Sequence, residues 1–143
     1  MTMFAPATLA LLPHPLPACC NARIILFAMR RMGAHGLTDA RAAHAFFTAF
    51  GASFRRPLIL MRGLMVDLAT AAAGPIAIAP CCYGRMTHAE AALLTILARV
   101  EVQTGAARLL MADLLGIKAV EGVLSSAAAV AVAFADEGRP ITA

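Results

Sequence analysis

Two adjacent thiols, Cys81 and Cys82, sit between Pro80 and Arg85 in the stretch IAIAPCCYGRMTHAEAALLTIL over residues 76–97. A cysteine is a nucleophile or a metal ligand only as its thiolate, and a nearby cation favours that form. Just downstream, Thr87 and Glu90 stand three apart ahead of Leu93, Leu94, Ile96, Leu97 and Val100. That is the spacing of a capping box, so Thr87 is the expected N-cap of a helix. The field of a helix N-terminus fades within about one turn. Arg85 is therefore the cation expected to act on the thiols, and this pair is expected to be more reactive than Cys19 and Cys20. The plain alternative is that Cys81 and Cys82 are small buried apolar residues, as free cysteines often are.

A zinc-type site would need about four nitrogen or sulfur ligands. Cys81, Cys82 and His88 are the candidate set, with Cys19, Cys20, His14 and His35 as further donors. No Cys-x-x-Cys is present, and neighbours in an extended chain point to opposite sides. A chelating Cys-Cys pair thus needs a special turn, and the first expectation is no cofactor, with zinc as the alternative. His35, between Gly33 and Gly36 and beside Arg30 and Arg31, has the makings of an anion site or an acid–base group. Its alternative is a helix-end imidazole that caps carbonyls. Asp67, in an otherwise apolar run, calls for a partner, and Arg55, Arg56 or an arginine of the first helix are the candidates. No Ser-His-acid set, paired carboxylates or Gly-rich phosphate loop can be assembled, so enzymatic activity is not expected apart from a thiol reaction at Cys81 or Cys82.

These residues need a scaffold, and the rest of the chain reads as one. At 143 residues it suits one domain with a core of its own. The 61% hydrophobic share is rich in Ala, which favours helix and close interhelical contact. Residues 1–20 are Pro-rich and aperiodic, and read as a disordered arm that carries no core. Residues 21–143 form the single helical domain. Asn21 is the expected cap of a first helix to about Met32, with Gly33 or Gly36 as its stop. Thr38 and Asp39 open a second helix that Gly51 closes, with Phe46 and Phe50 as core. Pro57 suits the first turn of a third helix, which Gly74 and Pro75 stop. Residues 76–79 read as an extended connector without a strand partner. Helices follow over about 87–102, 106–115 and 120–135. The fold class is all-α: a compact bundle or array of about six helices, without sheet, behind a Pro-rich N-terminal arm.

Mean hydropathy of +0.78 raises the question of a membrane. Pro6, Pro13, Pro15 and Pro17 interrupt the first apolar run, Arg62 and Asp67 the second, and residues 122–135 fall short of the roughly twenty a span requires. No transmembrane segment is expected. A secretory signal would lack its positive start, and Leu16-Pro17-Ala18-Cys19 matches a lipoprotein cleavage site only with an awkward Pro17. Two adjacent Cys pairs do not resemble a disulfide framework, which points to a reducing cytoplasm. The net charge is +4. Residues 1–71 hold seven arginines against two aspartates, the remainder five basic residues against six acidic, so an anionic partner would meet the first half. Nucleic acid is the less favoured partner, because no helix-turn-helix or zinc-finger spacing accompanies the charge and no aromatic platform is present.

The strings Arg30-Arg31-Met32-Gly33-Ala34-His35-Gly36-Leu37, Phe54-Arg55-Arg56-Pro57-Leu58 and Ala79-Pro80-Cys81-Cys82 with Arg85-Met86-Thr87 add a resemblance, as does the tail Phe134-Ala135-Asp136 with Gly138-Arg139-Pro140. The chain resembles an uncharacterised family of small alphaproteobacterial helical proteins, a domain of unknown function. The resemblance runs from about Leu12 onward, with residues 1–11 as an extension ahead of it, and it implies no activity. The functional expectation is a non-enzymatic cytosolic binding or adaptor protein that acts through the turn over residues 80–86. Its site residues are Cys81, Cys82, Arg85, His35, Arg30 and Arg31, and its partner is a protein, a second copy of the chain included. The alternatives are a thiol or zinc-type site with a redox or sensing role, and an Arg-mediated nucleic-acid binder.

Overall fold

Helix α1, Cys20–His35, buries Ala22, Ile25, Leu26, Met29 and Met32, which recur at the spacing of one helix face. It runs through Gly33 and stops at Gly36, whose φ of 103° suits glycine and few other residues. The computed structural model describes residues 4–6 and 12–142 of the chain. Helix α2, Ala40–Phe50, starts at Asp39, whose Oδ2 accepts the Ala42 amide at 3.0 Å. Helix α3, Arg55–Ala71, carries Pro57 in its first turn, where a missing N–H leaves no helical bond unmade, and buries Leu58, Met61, Leu64, Met65 and Leu68. Helices α4, His88–Arg99, α5, Thr104–Leu115, and α6, Glu121–Asp136, complete the set. The most extensive contacts run between α3 and α6 and between α4 and α5, with α1 lying against α2. Phe46 and Phe134 meet edge-on inside this core, 5.8 Å apart, and both are fully buried. Among the described residues, no helix is long and apolar enough to cross a membrane.

The all-α architecture stands, with one correction. Two small strand pairs are present where no sheet was expected. Strand β1, Phe4–Pro6, runs parallel to β3, Ile76–Ile78, and strand β2, His14–Pro15, runs antiparallel to β4, Arg85–Met86. Ile76–Ile78 thus has a partner after all, and it comes from the arm. The expectation that the arm contributes no core fails at Phe4, which is buried against the main cluster. The physical reason lies in what prolines leave behind. They remove N–H donors but keep carbonyls, and arginines satisfy these. Arg85 donates to the carbonyls of Leu12 and Pro13 at 2.9 and 2.8 Å, and Arg23 to Pro17 at 2.6 Å. Residues 1–3 and 7–11 lie outside the described residues.

Smaller differences follow the same logic of distant partners. Cys19, not Asn21, is the N-cap of α1. Asn21 instead donates to the Pro140 carbonyl at 3.0 Å and accepts from Arg139, which ties the C-terminal segment to the start of α1. Asp67 takes no arginine: it accepts from the Ser126 hydroxyl of α6, while Arg56 pairs with Asp136 at the surface. Phe50 is only partly buried. Leu64, by contrast, is fully enclosed. Leu64→Ala is therefore expected to cost about 2–5 kcal/mol by lost transfer and cavity formation, and Phe50→Ala less. Urea unfolding of the two variants checks the order, and a cost below about 0.5 kcal/mol at Leu64 would move the core elsewhere.

Candidate functional site

Glu90 sits in the first turn of α4, completely buried. Its position three residues after Thr87 makes the capping box: the Glu90 amide donates to Thr87 Oγ1 at 3.0 Å, and Glu90 Oε1 accepts the Thr87 amide at 2.9 Å. The same carboxylate does more. It accepts Arg30 Nε at 2.8 Å and a terminal guanidinium nitrogen of Arg30 at 3.1 Å, and its Oε2 also takes the Ala79 amide at 3.1 Å. The remaining guanidinium donors reach the carbonyls of Tyr83, at 2.9 Å, and Arg85, at 2.7 Å. One buried ion pair thus fastens the loop over residues 79–87 to α1 at both of its ends. Every buried side-chain nitrogen and oxygen among the described residues has a partner, the condition under which such a pair is tolerated in a core.

Arg31, the next residue of α1, makes a second bidentate pair, with Asp39, at 3.0 and 2.8 Å. The Arg31 guanidinium holds the Asp39 carboxyl well down, at about 2, against the opposing effect of burial, with help from the Ala42 amide. Asp39 in turn, and the Cys81 sulfur after it, hold the Arg31 guanidinium more firmly protonated. Arg31 therefore faces the thiols from the end of α1. Between that end and the loop lies a cavity of about 560 Å³, lined by Arg30, Arg31, His35 and Cys81 on its polar side and by Phe4, Ala34, Ile78 and Pro80 on its apolar side. Gly33 helps to shape it: a Cβ there would lie 2.6 Å from Ile78 Cδ1 and 3.3 Å from Phe4 Cγ. A side chain at that position would have to displace the tip of Ile78 and would crowd Phe4.

The structure thus brings four of the expected site residues together, Arg30, Arg31, His35 and Cys81. Cys82 adjoins them through Cys81, and the Arg85 side chain alone is turned away. Arg85 is not the cation beside the thiols, because its guanidinium is spent on the arm carbonyls. Arg31 and Arg41 take that place. Arg30 belongs to the framework through Glu90, which sequence reasoning read as a cap alone. Cys81 and Cys82 lie in the turn with their sulfurs 3.1 Å apart, Cys81 half-buried and Cys82 exposed. The zinc set of Cys81, Cys82 and His88 is not assembled. His88, at the head of α4, stands against His14 of β2, ring centres 5.6 Å apart. Among the described residues, no group of three or more His, Cys, Asp or Glu is placed to hold a metal ion. Phe4 is the lining residue that sequence reasoning missed; its sole local signal is an aromatic in an apolar run.

The geometry defines a small helical protein with a lined, partly apolar cavity under a dithiol turn. The chain belongs to the family of unknown function DUF6628, whose model matches residues 4–135. That match begins ahead of the expected Leu12, taking in β1, and ends before the tail string Gly138-Arg139-Pro140. No match is found among curated proteins or among solved structures.

The surroundings of Cys19 and Cys82 act on their thiols in opposite directions. Partial burial pushes the Cys19 thiol up, but the Thr142 hydroxyl and amide, with the Ala22 and Asn21 amides of α1, outweigh it and bring the pKa to about 7. Cys82 is pushed up instead, first by its hydrogen bond with Cys81. Because thiolate fraction governs attack on a monofunctional reagent, iodoacetamide near neutral pH is expected to label Cys19 faster than Cys82, as read by timed peptide mapping. Labelling of Cys82 first would contradict these surroundings.

Proposed function

We propose that this protein is a non-enzymatic binding protein whose ligand, a small organic anion with an apolar body, lodges in the cavity between the end of α1 and the turn carrying Cys81. The observation that carries the reading is the convergence of Arg31, His35 and Cys81 on one cavity with an apolar wall and no carboxylate in its lining. Its volume falls in the range of small-molecule sites, roughly 300–1,000 Å³. Arg31 spends Nε and one terminal nitrogen on Asp39, and a guanidinium has five N–H donors, so others remain for a ligand. The four free cysteines support a reducing cytoplasm as its setting.

Two other partners were open. Against nucleic acid, five of the seven arginines in the first half are engaged within the fold. Arg23 and Arg62 bind carbonyls, and Arg30, Arg31 and Arg56 pair with carboxylates. A protein partner, a second copy included, draws support from Ile59 and Val66, two turns apart on α3 and 62% and 44% exposed. It is the second reading.

Titration with decanoate, followed by amide NMR, tests the cavity. The expected result is shifts at Ala34, His35, Ala79 and Cys81, weaker with decanol of equal chain length, and absent in Ala34→Trp, which fills the cavity. Equal shifts with decanol, or none at these amides, would overturn the anion-binding reading.

A further inference from the structure

We infer that Cys81 and Cys82 form a redox site that exchanges with an anionic small-molecule disulfide, a step that names the ligand class of the cavity and rests on the reading above. Three observations meet there. The two sulfurs are 3.1 Å apart with a hydrogen bond between them, so one thiol is positioned to resolve what the other forms. Cys81 lines the cavity, while Cys82 lies outside its lining and is exposed. The cations that face the pair are Arg31 and Arg41, and His35 lines the same cavity. A disulfide bearing carboxylates would therefore be drawn in with its sulfurs toward Cys81.

The reaction balances without a further reagent. Cys81, as its thiolate, attacks one sulfur of the disulfide RS–SR. A Cys81–S–SR bond forms, the RS–SR bond breaks, and the departing RS⁻ takes up the proton that Cys81 gave to solvent. Cys82 then loses its proton and attacks the Cys81 sulfur. The Cys81–Cys82 bond forms and the second RS⁻ leaves and is protonated. Two protein thiols are oxidised, and the small disulfide is reduced to two thiols. Neighbouring Cα atoms stand about 3.8 Å apart, short of the roughly 4.4 Å at which ordinary disulfides begin. The closed pair is consequently strained and easily reduced again, which is the behaviour of a labile, regulatory bond rather than a structural one. Attack also moves the Cys81 sulfur from its place beside Arg31, so the state of the pair changes the polar wall that a ligand meets.

The test uses the full chain carrying Cys19→Ser and Cys20→Ser, which leaves the dithiol as the sole thiols. It is mixed under anaerobic conditions with dithiodiglycolate, hydroxyethyl disulfide or cystamine, which are anionic, neutral and cationic. Intact mass and released thiol are followed, and phenylarsine oxide, which needs two thiols, reports the reduced pair. The expected result is loss of two hydrogens with two thiols released, lost in Cys81→Ser and Cys82→Ser. The anionic reagent should react about tenfold or more faster than the cationic one at low salt. A stable single adduct, no reaction, or a rate order blind to charge would overturn the inference. The decanoate titration on the same protein separates the two readings. Decanoate binding without exchange sinks the thiol step alone, and loss of both binding and charge order sinks the cavity reading with it.

Discussion

The buried pair between Arg30 of α1 and Glu90 of α4 is the constraint on which the candidate site depends. Neither side chain has a measurable share of solvent worth speaking of, at 2% and 0% exposure. Desolvating two charges is expensive, and their attraction offsets it only when the remaining donors and acceptors are also satisfied. Here they are. Four donors converge on the Glu90 carboxylate, from Arg30 twice and from the amides of Ala79 and Thr87, and Arg30 also holds the carbonyls of Tyr83 and Arg85. The yield is geometry more than net stability: a loop with short strands and little regular structure acquires one fixed position against α1.

That position decides what the neighbouring residues can do. Arg31 follows Arg30 at about 100° further round the helix, so while Arg30 points into the protein, Arg31 is turned toward Asp39 and the Cys81 sulfur. His35 lies four residues, or about one turn, beyond Arg31 and lines the same cavity. The two arginines enter the site already paired, and the cavity is accordingly a donor-rich wall facing an apolar one, closer to a recognition surface than to a free cation trap. The arm completes it, since Phe4 supplies part of the apolar wall through a strand that Gly33 allows to approach.

Local signals in the sequence were read correctly where the partners are close in the chain. The Thr87–Glu90 capping box, the Asp39 cap and the stop at Gly51 all depend on residues within about one turn of each other. Arg31 and His35 were legible as neighbours in the chain and Cys81 by its residue type, but not the meeting of the three. Their meeting requires α1 to pack on a loop that lies far along the chain. Glu90 looked complete as a cap, which hid its larger role, because nothing local to Arg30 marks a partner sixty residues away. The strands escaped for a different reason. Segments of two and three residues are too short to show a period of two, and the Pro-rich arm looked unfit for pairing because its missing donors were visible while the arginines that serve its carbonyls were remote.

Hydrogen exchange on Arg30→Met tests the central claim most directly, because the Ala79 and Thr87 amides both donate to Glu90 and both belong to the loop that Arg30 holds. Breaking a buried pair by removing one partner costs about 3–5 kcal/mol in comparable settings. If Arg30 fixes the loop, protection at Ala79 and Thr87 falls far more than at buried amides of α6 such as Val130 and Phe134. Unchanged protection at Ala79 and Thr87, or an even loss across loop and α6 alike, would contradict the account.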